Sequence, residues 1–266
     1  MANSFSTWFR TDEASNSEYQ EGLIASFFSK RISEAVQKFF DEDRRESLPY
    51  YLSQIIQGEV KGDVGVFPVP PKIGRIALNP DFKGWKVELK PANENTFASA
   101  GAGNVSIPYD KSVLRNAQSF QDPAVDRMLS RMDDHLVHEC SHIATSKPGE
   151  DATIKGKPYW ERYQKGSREY AEAQIKYYTD PGEVRAHARQ YANIYLKQYG
   201  NNFDQRKFEQ MAWDNQDNKL HRFVNRLRDK EVQKQFPQLS ERMSKAYSDF
   251  MKSVAYFVDQ GRIIFN

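Results

Sequence analysis

Cysteine is all but missing from this chain: one thiol, Cys140, stands among 266 residues, so no intrachain disulfide framework can hold the fold. An intracellular or otherwise reducing setting fits that composition. Long apolar runs are missing too, since nothing approaches the ~18 consecutive apolar residues of a membrane span. Residues 1–21 are polar and acidic, where a secretory signal carries a basic start and an apolar stretch. A soluble, cytoplasmic protein with no signal peptide and no membrane partner is the expectation. An excess of either charge is also lacking, because 38 Lys and Arg face 36 Asp and Glu for a net +2. The charges are interleaved, which excludes the basic footprint of a nucleic-acid binder. There is no internal repeat and no low-complexity tract.

What the chain does have is enough apolar and aromatic material, 39% and 13%, to bury a core without help. In residues 19–40 the side chains of Leu23, Ile24, Phe27, Phe28, Ile32, Val36, Phe39 and Phe40 recur at helical spacing, and residues 48–56 form a second helical run. This N-terminal region, residues 1–60, either packs on the rest of the chain or serves as a propeptide or targeting arm. Gly62, Gly65 and the run Phe67-Pro68-Val69-Pro70-Pro71 then break the helical pattern. Strands are expected at residues 73–78, 85–89 and 104–109. The last is read either as a sheet edge, with Pro108 tolerated because an edge need not donate every N–H, or as an ordinary core strand. Helices are expected at residues 122–146, 167–178 and 180–199, the last closed by Gly200, with two or three more in residues 203–264 separated by Pro237. The fold class is α+β, with helices dominating.

Within the helix at residues 122–146 lies His138-Glu139-Cys140-Ser141-His142. Asp122 and Pro123 supply an N-cap and a first helical residue, Val125, Met128, Leu129, Met132, Leu136, Val137 and Ile143 give the helical period, and Lys147-Pro148-Gly149 ends it. Residues four apart share a helix face, so both histidines can offer a ring nitrogen to one zinc ion. Glu139 projects about 100° round the helix from His138. From there it can take a proton from a water whose pKa zinc has lowered to about 7. The plain alternative is a pair of histidines and a charge on a solvated face.

A catalytic zinc needs a third protein ligand. The segment Tyr177-Tyr178-Thr179-Asp180-Pro181-Gly182-Glu183 starts a fresh helix, and Glu183 is the candidate ligand, with His187 one turn on. Two alternatives stay open. Glu183 sits at the third helical position after Asp180, where a capping box would use it; and His187 is itself a possible ligand or an oxyanion donor. Tyr178, Arg185 and His135 are further candidates for oxyanion stabilisation or for support behind the ligands; packing, a surface ion pair or plain exposure are the ordinary roles for such residues. Cys140 falls about 200° round the helix from His138 and is expected in the core. His221, in a basic run, is expected on a solvated helix face.

His138-Glu139-Cys140-Ser141-His142 followed by a helix carrying Glu183 resembles the zincin metallopeptidases, in the gluzincin arrangement of two histidines and a downstream glutamate. The resemblance covers residues 122–146 and 180–188. It implies a zincin-like α+β fold with a small mixed sheet and an active-site helix. Residues 61–266 would form the metallopeptidase domain, residues 61–146 being sheet plus active-site helix and residues 147–266 a helical lower part. It also implies one zinc per chain on His138, His142 and Glu183, with Glu139 as general base and a peptide or protein as substrate. Thermolysin-like gluzincins carry Asp four residues after the third ligand; this chain has His187 there. The expected function is a zinc-dependent peptidase, an endopeptidase. The alternatives are a structural or interaction protein whose zinc is closed off by a fourth ligand, and a metal-dependent hydrolase of a non-peptide substrate.

Overall fold

A computed structural model describes residues 12–93, 98–101, 103–143, 153–154, 157–158, 162–214, 224, 227–228 and 230–264. Residues 144–149, which include the expected helix stop, and His221 lie outside the described residues. The architecture is α+β, mostly helical with a small mixed sheet. The chain divides into two compact units, residues 1–151 and 152–266. Among the described residues no helix is long and apolar enough to cross a membrane.

The first unit begins with helix α1 (Asp12–Asp41), whose buried Ile24, Phe28, Ile32 and Val36 fall four residues apart on one face. Helix α2 (Leu48–Ser53) follows, capped by the Ser47 hydroxyl accepting from the Tyr50 N–H. Five strands make the main sheet in the order β1-β2-β5-β7-β6: β1 (Glu59–Lys61), β2 (Val64–Pro68), β5 (Lys86–Pro91), β7 (Asn104–Tyr109) and β6 (Ser99–Gly101). Among the described pairings of this sheet only β5–β7 is parallel; it sets Val87 beside Val105 and Leu89 beside Ile107. Those four side chains are fully buried with Phe67 of β2, Phe28 of α1 and Tyr51 of α2 in one apolar cluster. Each such side chain withdrawn from water contributes roughly 1.5–3 kcal/mol. Gly65 is needed where α2 meets β2: a Cβ there would sit 2.7 Å from Pro49 and 2.6 Å from the Phe67 ring.

One strand expectation needs correction, and one pair of alternatives is decided. Residues 73–78 are not one strand but the hairpin β3 (Lys72–Ile73) and β4 (Ile76–Ala77), turned by Gly74 at φ 58°. Strand β7 has the expected bounds, and of its two readings the core strand is the one seen and the sheet edge is not; the outermost described strand on that side is β6, three small residues. Pro108 is nevertheless accommodated as an edge residue would be. Lys86 donates to the Gly103 carbonyl and Ala92 to the Tyr109 carbonyl, so the odd-numbered residues of β7 bond to β5 and the even-numbered ones face β6. Strand β6 reaches only Ser106, so Pro108 meets no described strand on the side where its N–H is missing.

Helix α3 (Lys111–Asn116) leads to α4 (Pro123–Cys140), which packs on α1 and on β7 and β6. The Asp122 carboxylate caps α4 by accepting from Ala124 at 2.8 Å, with Pro123 as first helical residue. Buried Val125, Met128, Met132 and Leu136 form its inner face.

Among its described residues the second unit is helical apart from the two-residue strands β8 (Thr153–Ile154) and β9 (Lys157–Pro158). Its described helices are α5 (Arg168–Tyr178), α6 (Pro181–Tyr199), α7 (Gln205–Asp214), α8 (Lys230–Gln235) and α9 (Pro237–Ile264). Asp180 caps α6 and Gly200 ends it at φ 76°. Val184, Ala188, Tyr191 and Tyr195 of α6 bury against Phe250, Val254 and Val258 of α9, with Phe208 and Met211 of α7.

Candidate metal centre

Helix α4 ends sooner than its periodicity predicts, and the end falls inside the motif. Its last residue is Cys140, and Ser141 is the C-cap. The Ser141 hydroxyl donates to the Val137 carbonyl at 2.8 Å, the acceptor that an i→i−4 backbone bond from Ser141 would use. The following N–H groups then bond three residues back, Ser141 to His138, His142 to Glu139 and Ile143 to Cys140, each at 3.1 Å. His142 therefore sits in a tight turn after the helix, not on the helix face.

That turn still brings the two rings together. The Nε2 atoms of His138 and His142 are 3.4 Å apart, with the ring planes at 74°. Two nitrogens each about 2.05 Å from one tetrahedral zinc ion are about 3.3 Å apart. The pair therefore has the bite that zinc requires, and it is longer than an ordinary hydrogen bond. A carboxylate oxygen of Glu139 lies within 4.8 Å of both ring nitrogens. His138 and Glu139 are each 7% exposed, and His142 is half-buried. The setting favours a cation further, because the C-terminal end of a helix carries partial negative charge. Cys140 is fully buried in the apolar cluster of the first unit, as its angular position predicts. His135 is half-buried one turn earlier on α4.

Glu183, His187, Tyr178 and Arg185 belong to the second unit. Glu183 is buried in the first turn of α6. The capping-box use of its carboxylate is not required: the Asp180 N–H donates to the Tyr177 carbonyl at 2.9 Å, and the Asp180 carboxylate accepts from Gly182 at 2.9 Å. A ring nitrogen of His187 comes within 4.8 Å of a Glu183 oxygen. Tyr178 is half-buried at the end of α5 with its ring 6.4 Å from that of His187, and Arg185 is half-buried on α6. Sequence reasoning missed Tyr191, fully within α6, whose ring stacks on His187; the signal was the i, i+4 spacing of the two rings.

The residues of the first unit fit a divalent transition metal by donor chemistry as well as by spacing, since imidazole nitrogen and carboxylate oxygen are the donors zinc takes. Comparison with protein-family models, with curated proteins and with solved structures found no match to this chain.

Proposed function

We propose that the chain is a zinc-dependent peptidase, cutting within peptide or protein substrates, with His138, His142 and Glu183 as the metal ligands and Glu139 as general base. The observation that carries this reading is the 3.4 Å bite of His138 and His142 beside a buried glutamate. When bound, zinc supplies a Lewis acid that polarises the scissile carbonyl and makes water a usable nucleophile near neutral pH. Glu139 accepts the proton of the attacking water as the C–O bond forms and returns it to the leaving amine as the C–N bond breaks. Its burial keeps bulk water from competing for that proton. Strand β6, outermost in the described sheet and packed on α4, offers backbone donors and acceptors to an extended substrate.

Metal analysis tests the reading directly. Wild type purified without added metal or chelator should carry one zinc per chain, retained in Glu139→Gln and lost in Glu183→Ala. A folded wild type that refuses added zinc would end it. A digest of a peptide library by the zinc-loaded protein then separates a peptidase from a hydrolase of other substrates.

A further inference from the structure

His187 is flanked on α6 by groups that leave its ring little choice of orientation. Tyr191, one turn on, stacks against it at 6.1 Å between centroids and 16° between planes. Tyr178, from the end of α5, lies 6.4 Å away at 36°. Tyr191 is 4% exposed, and the Phe250 ring of α9 meets it nearly edge-on, 6.2 Å away at 76°, so it cannot swing aside. An imidazole facing a ring this firmly held keeps its plane, and its nitrogens point out along that plane. One of them comes within 4.8 Å of the Glu183 carboxylate, a turn back on the same helix. Groups that close can meet directly or through one water.

We infer that His187 is a positioning residue for Glu183, and that Tyr191 acts through it. The inference rests on the zinc reading above, and goes beyond it by naming what aims the third ligand. A carboxylate that holds a metal has a second oxygen and spare lone pairs; an N–H donor fixed beside it selects one rotamer and one ligating oxygen. Such outer partners typically change metal affinity 10- to 100-fold. The Tyr191 stack acts on the plane of the ring. Its effect is to keep the imidazole from turning its nitrogens away from Glu183.

The test is the zinc dissociation constant of the full chain, measured by competition with a chromophoric chelator, for wild type, His187→Ala, Tyr191→Phe, Tyr191→Leu and the His187→Ala/Tyr191→Leu pair. Circular dichroism and a thermal midpoint confirm that each is folded. His187→Ala and Tyr191→Leu should each weaken zinc 10- to 100-fold, Tyr191→Phe should match wild type, and the double variant should be no weaker than His187→Ala alone. A merely structural tyrosine would lower the midpoint without this coupling. Wild-type affinity in folded Tyr191→Leu, or additive losses in the double variant, overturns the inference. So does loss of all zinc in His187→Ala with Glu183→Ala unaffected, which would make His187 the ligand. If Tyr191→Leu does not fold, Tyr178→Leu takes its place with the same expectations. A wild type that binds no zinc overturns the metal reading itself, and this inference with it.

Discussion

His138 and His142 hold their Nε2 atoms 3.4 Å apart across the end of a helix to which only His138 belongs. The Ser141 hydroxyl, bonded to the Val137 carbonyl, is what tightens the chain between them. The motif thus combines a rigid residue, fixed by α4, with one set by the turn that follows.

The two histidines and the glutamate should separate cleanly in function. His142→Ala should lose zinc by a hundredfold or more in affinity, since one of the three proposed ligands goes. Glu139→Gln should keep its zinc and lower peptide hydrolysis by about 10²–10⁴-fold, the usual range for a general base. Metal analysis beside a fluorogenic peptide assay checks both; hydrolysis undiminished in Glu139→Gln would remove Glu139 from the mechanism.

Two buried tyrosines should respond in opposite ways to loss of the hydroxyl. Tyr51 is fully buried, and its hydroxyl has no hydrogen-bond partner among the described residues. Tyr109 donates to the Asp63 carbonyl at 3.0 Å. Tyr51→Phe should leave the urea unfolding free energy unchanged or raise it, whereas Tyr109→Phe should lower it by about 1 kcal/mol. Equal losses in the two would show that Tyr51 has found a partner in solution.

Adjacent residues Tyr109 and Asp110 are pushed in opposite directions on the pH scale. Burial, with the Asp63 carboxylate adding to it, raises the Tyr109 phenol well above its ordinary value. The folded state keeps this proton longer than the unfolded chain, so the contribution is full below pH ~10 and is lost as pH rises further. The Asp110 carboxyl is lowered, chiefly by the Ser112 hydroxyl at 2.6 Å and also by the N–H groups of Val113 and Ser112 at the start of α3. Its contribution is full above pH ~3.9 and is lost as pH falls through the lowered value. Urea midpoints across pH should therefore lose part of their alkaline slope in Tyr109→Phe, the half-buried Tyr247 phenol being raised as well, and part of their acid slope in Ser112→Ala. An unchanged slope in either variant refutes that assignment.

Arg44 sits at φ 60°, next to Asp43 at φ 55°, a backbone region that costs side-chain-bearing residues roughly 1–2 kcal/mol. Its guanidinium donates to the carbonyls of Arg115, Ala117 and Gln118 at 2.9, 2.5 and 3.1 Å and lies 4.7 Å over the Phe40 ring. Arg44→Ala loses those bonds and keeps the strained turn; Arg44→Gly loses the bonds and relaxes the turn. Both should destabilise, Arg44→Gly less by about 1 kcal/mol. The reverse order in denaturant unfolding would show that the strain is absent in solution.

Local rules made much of this readable in the sequence. The Asp122-Pro123 and Asp180-Pro181 starts, the Gly200 stop and the bounds of β7 all depend on residues next to one another. Sheet order does not: nothing in the alternation of Val105 and Ile107 says which strands lie on either side, and Ser99-Ala100-Gly101 has too little side chain to announce a strand. The early end of α4 escaped because a helical period continues through Ile143, while one serine hydroxyl decides the backbone bonding. In the candidate site, the spacing of His138, Glu139 and His142 carries the local geometry. Which side chain would complete it is a question of tertiary structure, which periodicity cannot answer.

Pro108 has a further consequence for how copies of this chain meet. Among the described residues β6 pairs with β7 no further than Ser106, and a stretch of strand unpaired on one side invites a strand from another molecule. The residue whose N–H would face that intruder is the proline, which has none to give. That side of β7 is thereby a poor template for intermolecular pairing at Pro108, and replacing Pro108 with a residue that restores the N–H would give a neighbouring chain a donor there.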